Sequence, residues 1–123
     1  MQGEILRQGW PTYLKDFNRR NSGRAVDLQL LSEDLGTYTE AEKFPFQGIS
    51  LETKQQFPQS VEIMLGGTGA DHRNLTHTVQ NVRRIVPKAG VDGREDALEI
   101  EAADGAKIIL VFKSLPELPI NVS

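Results

Sequence analysis

Apolar and polar residues recur along this chain with two different periods. Between Trp10 and Phe17 the apolar positions return every three or four residues, which is the pattern of one face of a helix. The pattern predicts a helix from about Pro11 to Asn21, ended by Gly23, which can adopt a left-handed conformation. Beyond Gly23 the period changes to two, which is typical of strands with one buried face.

The segments with period two are predicted to be strands. Gly36–Phe44 is rich in Thr, Tyr and Glu, and its charges are those of an edge strand protected against pairing with another chain. Phe44-Pro45-Phe46 is predicted to interrupt the sheet, because proline cannot donate a backbone hydrogen bond. The other predicted strands are Val26–Leu30, Ile49–Leu51, Val61–Leu65, Leu75–Val79, Val82–Val86, Ala97–Ala102 and Ala106–Phe112.

The turn residues of the last two strands predict their register. A two-residue loop at Asp104-Gly105 would place Glu101 opposite Ile108 and mix charged with apolar side chains on one face. A three-residue loop, with Gly105 left-handed at a bulge, places Ile100 opposite Ile108 and Glu101 opposite Lys107. We therefore predict the three-residue loop, with Glu101 and Lys107 as an exposed pair.

These elements predict an α+β fold, with one N-terminal helix packed on a strongly curled, mainly antiparallel sheet of about six or seven strands. Residues 1–115 are predicted to form one domain, and residues 116–123 an extended or disordered C-terminal tail. The predicted core consists of Trp10, Leu14, Phe17, Val26, Leu28, Leu30, Ile49, Leu51, Val61, Ile63, Leu65, Leu98, Ile100, Ile108, Leu110 and Phe112.

Composition excludes several classes of function. The chain of 123 residues has no cysteine, which removes thiol catalysis, disulfides and cysteine-ligated metals. Its formal charge of −3 is unlike that of nucleic-acid-binding proteins, which carry a basic surface. It has no run of apolar residues of signal-peptide or membrane-span length. We expect a cytoplasmic protein without a membrane or nucleic-acid partner.

Chemically active side chains are concentrated between Gly66 and Val79. Asp71, His72, Arg73 and His77 are the candidate ligand-binding residues, and the chain's two histidines both lie here. Metal-binding histidine pairs usually stand two apart on a strand or four apart on a helix, and Arg73 between them disfavours a cation. Neither a metal nor another cofactor is expected.

Two functions fit this cluster. The sequence favours a non-enzymatic interaction or small-ligand-binding module, because the catalytic inventory is incomplete: it has no G-x-S-x-G nucleophile motif. In this interpretation Leu75, His77 and Val79 share one strand face, His77 bonds a carbonyl, and Thr76 and Thr78 face water. The alternative is a small hydrolase or isomerase that uses Asp71, His72 and His77, with or without a metal.

The last strand is apolar on both faces. Ile108, Leu110 and Phe112 are predicted to face the core, which leaves Ile109 and Val111 on the other side. Because adjacent outward aliphatic residues are usually covered, we predict a homodimer through this face, with Ile109 and Val111 as interface residues. Cover by the proline-rich tail is the competing explanation, and another protein is the other possible partner.

Three features carry a resemblance to known proteins. They are the helix pattern Trp10-Pro11-…-Leu14-…-Phe17, the block Leu75-Thr76-His77-Thr78-Val79, and the acidic hairpin ALEIEAADG with its apolar strand. With these features, over most of residues 1–115, the chain resembles a family of small uncharacterised bacterial single-domain proteins. The resemblance implies a bacterial protein with a helix and antiparallel strands, and it implies no activity and no binding residues.

Overall fold

The computed structural model describes residues 3–32, 36–52, 59–66, 74–90 and 94–113. The predicted α+β fold is confirmed: one N-terminal helix packs on a seven-stranded antiparallel sheet. A 3-10 turn at Arg7–Gly9 leads into helix α1, Trp10–Asn21. The strands are β1 Ala25–Ser32, β2 Gly36–Glu52, β3 Ser60–Gly66, β4 Asn74–Val79, β5 Val82–Ala89, β6 Glu95–Ala102 and β7 Lys107–Phe112.

Helix α1 packs its predicted apolar face on the sheet. Trp10, Leu14 and Phe17 are buried, with Pro11 in the first turn as the sequence predicts. The ring of Phe17 meets the rings of Phe46 and Phe112 edge-on, at centroid distances of 5.4 Å and 5.6 Å. Beyond the helix, Gly23 has φ +86°, the left-handed conformation predicted to end it.

The sheet curls until its two end strands meet at one turn. The strand order is β4-β3-β2-β1-β7-β6-β5, so β4 and β5 lie at opposite ends. Only Gln80 and Asn81 connect these strands, and Asn81 turns the chain with φ +57°. The Asn81 carbonyl accepts the Ala103 N–H at 2.8 Å, which holds this turn against the β6–β7 loop. The two end strands are not hydrogen-bonded to each other, so the sheet is not closed.

The predicted break at Phe44-Pro45-Phe46 is wrong, because β2 runs through it as one strand of 17 residues. The strand bends instead, by carrying extra residues opposite both neighbours. Four residues of β2, Ala41 to Phe44, lie opposite three of β1, Val26 to Leu28, and Lys43 in this bulge has φ +57°. Pro45 is tolerated beside the bulge, where the ladder is already interrupted.

The prediction that Gly36–Phe44 forms an edge strand is confirmed for its pairing. This first half of β2 pairs with β1, whereas β3 pairs only with the second half, from Phe46 to Glu52. In the strand order as a whole, β4 and β5 are the end strands. The N-terminal segment lies on the β5 edge, where the Ile5 N–H donates to the Ile85 carbonyl at 2.8 Å. The polar composition of Gly36–Phe44 thus fits a segment that pairs with a strand on one side only among the described residues.

The predicted core is largely confirmed. Fourteen of its sixteen members are buried, while Leu30 and Leu51 are half-buried against the same cluster. The prediction missed residues in the bent part of β2 and around the β4–β5 turn, where periodicity alone is a poor guide. The missed buried residues are Ala41, Phe46, Val79, Val82, Ile85 and Ala102.

The predicted register of the β6–β7 hairpin is confirmed. Ile100 pairs with Ile108 and Glu101 with Lys107, and Gly105 has φ +93°. The exposed ion pair predicted from this register is wrong, because the Glu101 side chain is buried. Its carboxylate accepts hydrogen bonds from Arg83 and Arg84 of β5, while Lys107 lies 3.8 Å from Glu99.

The outer face of β7 carries Ile109 and Val111, as predicted. Both are half-buried, and they pair in register with Gln29 and Asp27 of β1. Ion pairs flank them: Lys107 with Glu99, and Lys113 with Asp27 at 2.9 Å. The tail from residue 114 onward lies outside the described residues.

Candidate functional site

His77 faces the inside of the curled sheet. It pairs in register with Ile63, which is completely buried, so the two side chains share the inner face. Thr76 and Thr78, on either side of it, are exposed. This confirms the orientation predicted from the alternation in β4.

The partner of His77 is a carboxylate and not the carbonyl that the sequence interpretation expected. Glu40 Oε1 lies 3.1 Å from His77 Nδ1, and both side chains are partly shielded from solvent. Glu40 reaches the inner face because it is an extra residue of β2: Leu28 pairs with Ala41 and Gln29 with Thr39, and Glu40 has no partner between them. The bulge therefore directs a carboxylate at the imidazole.

The contact bears on which imidazole nitrogen carries the proton. A carboxylate oxygen only accepts hydrogen bonds, so the Glu40 oxygen beside Nδ1 of His77 favours the tautomer with the proton on Nδ1. In the neutral ring the other nitrogen, Nε2, is then unprotonated and accepts hydrogen bonds. An imidazole held by a carboxylate in one tautomer is a common arrangement in binding and catalytic sites.

His77 lines a half-open cleft of about 380 Å³. One wall is the end of β4 and its turn, residues 77–81, and the opposite wall is the β6–β7 hairpin with Ala102, Asp104, Ala106 and Ile108. The cleft lies beside the turn that joins the two end strands, where the sheet is not closed. Because the sheet is not closed, a cleft remains beside this turn, and the imidazole of His77 lies in its wall.

Among the described residues, the charged side chains at the cleft are carboxylates. Asp104 is the one ionic side chain among the described residues that line it, and its Oδ1 accepts the Ala106 N–H at 3.0 Å. Glu40 adds a second carboxylate behind His77. These described residues therefore bring negative charge and hydrogen-bond acceptors to the cleft.

Asp71, His72 and Arg73 lie outside the described residues, between the paired positions Gly66 and Asn74. Asn74 is three residues from His77, which is about 10 Å along a strand. Within the described ranges, no three carboxylate or imidazole side chains are grouped as metal ligands.

A second polar cluster, which the sequence reasoning missed, joins the end of helix α1 to β6. The carboxylate of Glu95 is buried and accepts hydrogen bonds from Arg20, from Asn21 at 3.0 Å and from the Tyr13 hydroxyl at 2.5 Å. Burial alone would raise the pKa of Glu95, but these bonds outweigh it and hold the pKa below its usual range. Burial and the Glu95 carboxylate together raise the pKa of Tyr13.

This second cluster is structural. Arg24 completes it by donating to the Glu95 carbonyl at 2.8 Å and to the Asn21 amide oxygen at 2.7 Å. Apart from the buried Arg24 Nε, which has no hydrogen-bond partner among the described residues, its donors and acceptors bind one another and fix the helix on the sheet. The sequence contains little indication of this cluster, because Glu95 lies in a stretch of loop-like composition and its partners lie more than seventy residues earlier.

Comparison with known proteins gives a family and no activity. In the described part of the chain, no helix is long and apolar enough to cross a membrane. No curated protein and no solved structure matches the sequence. The model of one protein family, described as a family of unknown function (DUF5335), matches residues 1–121, so the chain belongs to that family.

Proposed function

We propose that this protein is a non-enzymatic small-ligand-binding module whose site is the cleft at His77. The observation that carries the proposal is the His77–Glu40 contact of 3.1 Å in the wall of a half-open cleft. A volume of about 380 Å³ lies within the range of pockets that bind small molecules.

The lining supports binding by its mixture of groups. Val79, Ala102 and Ile108 supply apolar contact area, and His77 and Asp104 supply fixed polar atoms. Binding sites combine these two kinds of surface, because the apolar wall gives affinity and the polar atoms give orientation. The described residues add nothing to the hydrolase or isomerase alternative, since Asp71 and His72 lie outside them.

The cellular setting is part of the same proposal. The resemblance set out above supports a bacterial protein, and the lack of cysteine is compatible with a reducing cytoplasm. A homodimer, or a complex with another protein, would leave the cleft accessible if it formed on the outer face of β7, because the β7 residue that lines the cleft, Ile108, is buried on the inner face.

A substitution that fills the cleft tests the proposal. Ala102 lies on the inner face of β6 and lines the cleft, so Ala102→Leu places three additional carbon atoms in it. Native mass spectrometry of the purified protein, followed by thermal-shift screening against a metabolite library, would identify ligands of the wild type. We expect these ligands to raise the melting temperature of the wild type and to have no effect on Ala102→Leu.

Ala97→Leu is the matched control. Ala97 lies on the same strand but on the outer face, opposite Val111, so the same enlargement leaves the cleft open. Ligand responses should survive in Ala97→Leu. Ligands that stabilise Ala102→Leu as strongly as the wild type, or a library without any ligand that distinguishes the two variants, would overturn the proposed site.

A further inference from the structure

We infer that the cleft binds a small organic cation, either a primary ammonium or a guanidinium group. This inference rests on the proposed function and specifies its ligand. Three features of the cleft carry it: its charge, the tautomer of His77, and the side chains that hold the neighbouring cations away.

The charge of the lining favours a cation. Asp104 is the ionic side chain among the described lining residues, and Glu40 stands behind His77. No lysine or arginine is among those described lining residues. An anion would therefore meet two carboxylates without a compensating positive group, while a cation would be attracted.

The basic residues closest to the cleft in sequence are engaged elsewhere. Lys107 lies beside Glu99, and Arg83 donates to the buried carboxylate of Glu101. Both carboxylates are on the outer face of β6, away from the inner face that Ala102 and Ile100 share. These ion pairs keep the positive charges out of the cleft.

The available hydrogen-bonding atoms are acceptors. The Glu40 oxygen, 3.1 Å from His77 Nδ1, favours the proton on that nitrogen, so Nε2 of the neutral ring accepts. Asp104 uses Oδ1 for the Ala106 N–H, and its second oxygen has no partner among the described residues. An ammonium or guanidinium group consists of donors alone and therefore matches this pattern.

Imidazole NMR provides a direct test, because the chain has only two histidines. Comparison with His72→Gln assigns the ring signals of His77. The probes are three four-carbon compounds that differ in charge: putrescine (1,4-diaminobutane), butane-1,4-diol and succinate. We expect putrescine to shift the His77 nitrogen signals, the diol to act more weakly, and succinate to have no effect at equal concentration and ionic strength.

Two variants separate charge from shape. Asp104→Asn keeps the oxygen that accepts the Ala106 N–H and removes the negative charge, so putrescine binding should weaken by about fivefold to tenfold. Glu99→Gln, the control, removes a carboxylate on the outer face and should change binding by less than about twofold. Equal effects of the two variants would show that only net charge matters and would overturn the inference.

The outcomes also separate this inference from the proposed function. Shifts of His77 by succinate or the diol, without putrescine, would leave a binding site and reject the cation. If no probe shifts the His77 signals at 50 mM, the cation is rejected, while the library screen tests the binding site independently.

A blocked lysine, N-acetyl-lysine methylamide, distinguishes the source of the cation. Stronger binding than putrescine indicates a protein side chain, and weaker binding indicates a free amine. Nitrogen shifts that show Nε2 protonated in the neutral ring would also reject the cation.

Discussion

The side-chain amide of Asn18 pairs with the backbone of Ile49 through two hydrogen bonds. Asn18 Nδ2 donates to the Ile49 carbonyl at 2.9 Å, and the Ile49 N–H donates to Asn18 Oδ1 at 2.8 Å. The asparagine thus occupies the place that a neighbouring strand would take beside β2. A Cβ at the adjacent Gly48 would lie 3.6 Å from the Asn18 side chain, which is an ordinary van der Waals contact. Helix α1 is therefore tied to β2 by polar geometry as well as by its apolar face.

Asn18→Leu should destabilise the protein by roughly 2–4 kcal/mol, because it leaves a backbone donor and a backbone acceptor of the buried Ile49 without partners. Chemical denaturation measures the change in the free energy of unfolding. Lys15→Leu is the control, since it makes a similar exchange at an exposed position of the same helix and should change stability by less than about 0.5 kcal/mol. Equal stabilities of the two variants would show that the Asn18 bonds contribute nothing.

Gly105→Val should destabilise the protein by roughly 1–2 kcal/mol. Gly105 has φ +93°, and a β-branched side chain fits this region poorly. Gly105→Asn should cost less than half as much, because asparagine tolerates left-handed backbone better. Since the added Cβ meets no atom within 4 Å, backbone conformation alone is tested. Unchanged melting temperatures for both variants would contradict the bulged turn.

The β6–β7 hairpin is a part of the fold that the sequence predicts correctly, and strand β2 is a part that it does not. The β6–β7 register followed from strict alternation and one glycine, because both are local signals. In β2 the bulges shift the alternation of inward and outward side chains, so Phe46 is buried. The preceding Pro45 had instead indicated the end of a strand. A bulge is stabilised by contacts with neighbouring strands, which a local pattern does not contain.

The candidate site was likewise predicted from the sequence only in part. The inward orientation of His77 followed from the alternation of β4, which is local information. Its contact with Glu40 joins residues 37 positions apart and depends on the extra residue in β2. In an unbroken strand Glu40 and Ala41 would face opposite sides, so the sequence pattern pointed to Asp71 as the nearest acid instead.

The buried Glu95 cluster predicts a dependence of stability on pH. The folded state holds the pKa of Glu95 below its ordinary value of 4.5, because the hydrogen bonds from Arg20, Asn21 and Tyr13 outweigh the effect of burial. A carboxyl group with a lowered folded-state pKa stabilises the fold above its unfolded pKa and loses this contribution as pH falls through the folded value. Glu95→Gln should therefore be less stable than the wild type by about 1–3 kcal/mol at pH 7, and the difference should shrink below about pH 4.5.

Unfolding curves of the wild type and Glu95→Gln between pH 3 and pH 7 measure this convergence. Glu62→Gln serves as control, because Glu62 is exposed on β3 and its loss should give parallel curves. The comparison cancels the contributions of Asp27 and Glu101, whose pKa values are also lowered in the fold, by basic partners. A Glu95→Gln deficit that stays constant down to pH 3 would contradict the ionised, hydrogen-bonded carboxylate.

The homodimer predicted from the sequence stays a prediction, and Ile109→Glu tests it. Ile109 is half-buried on the outer face of β7, where a second copy would cover it together with Val111. A glutamate there would bury an unpaired charge in the interface, so the wild type should sediment as a dimer and the variant as a folded monomer. Thr76→Glu, which adds the same charge at an exposed position of β4, should remain dimeric.

A truncation after Lys113 separates the dimer from cover by the tail, because residues 114–123 contain Leu115, Leu118 and Ile120. If a second copy covers the outer face, the truncated chain should still dimerise, since the two-fold contact is made by β7 itself. If the tail covers it, the full chain should be monomeric at high concentration and truncation should cause association through the newly exposed aliphatic surface. Sedimentation of the full and truncated chains, each with and without Ile109→Glu, decides between them, because only in the dimer does the substitution dissociate the full-length protein.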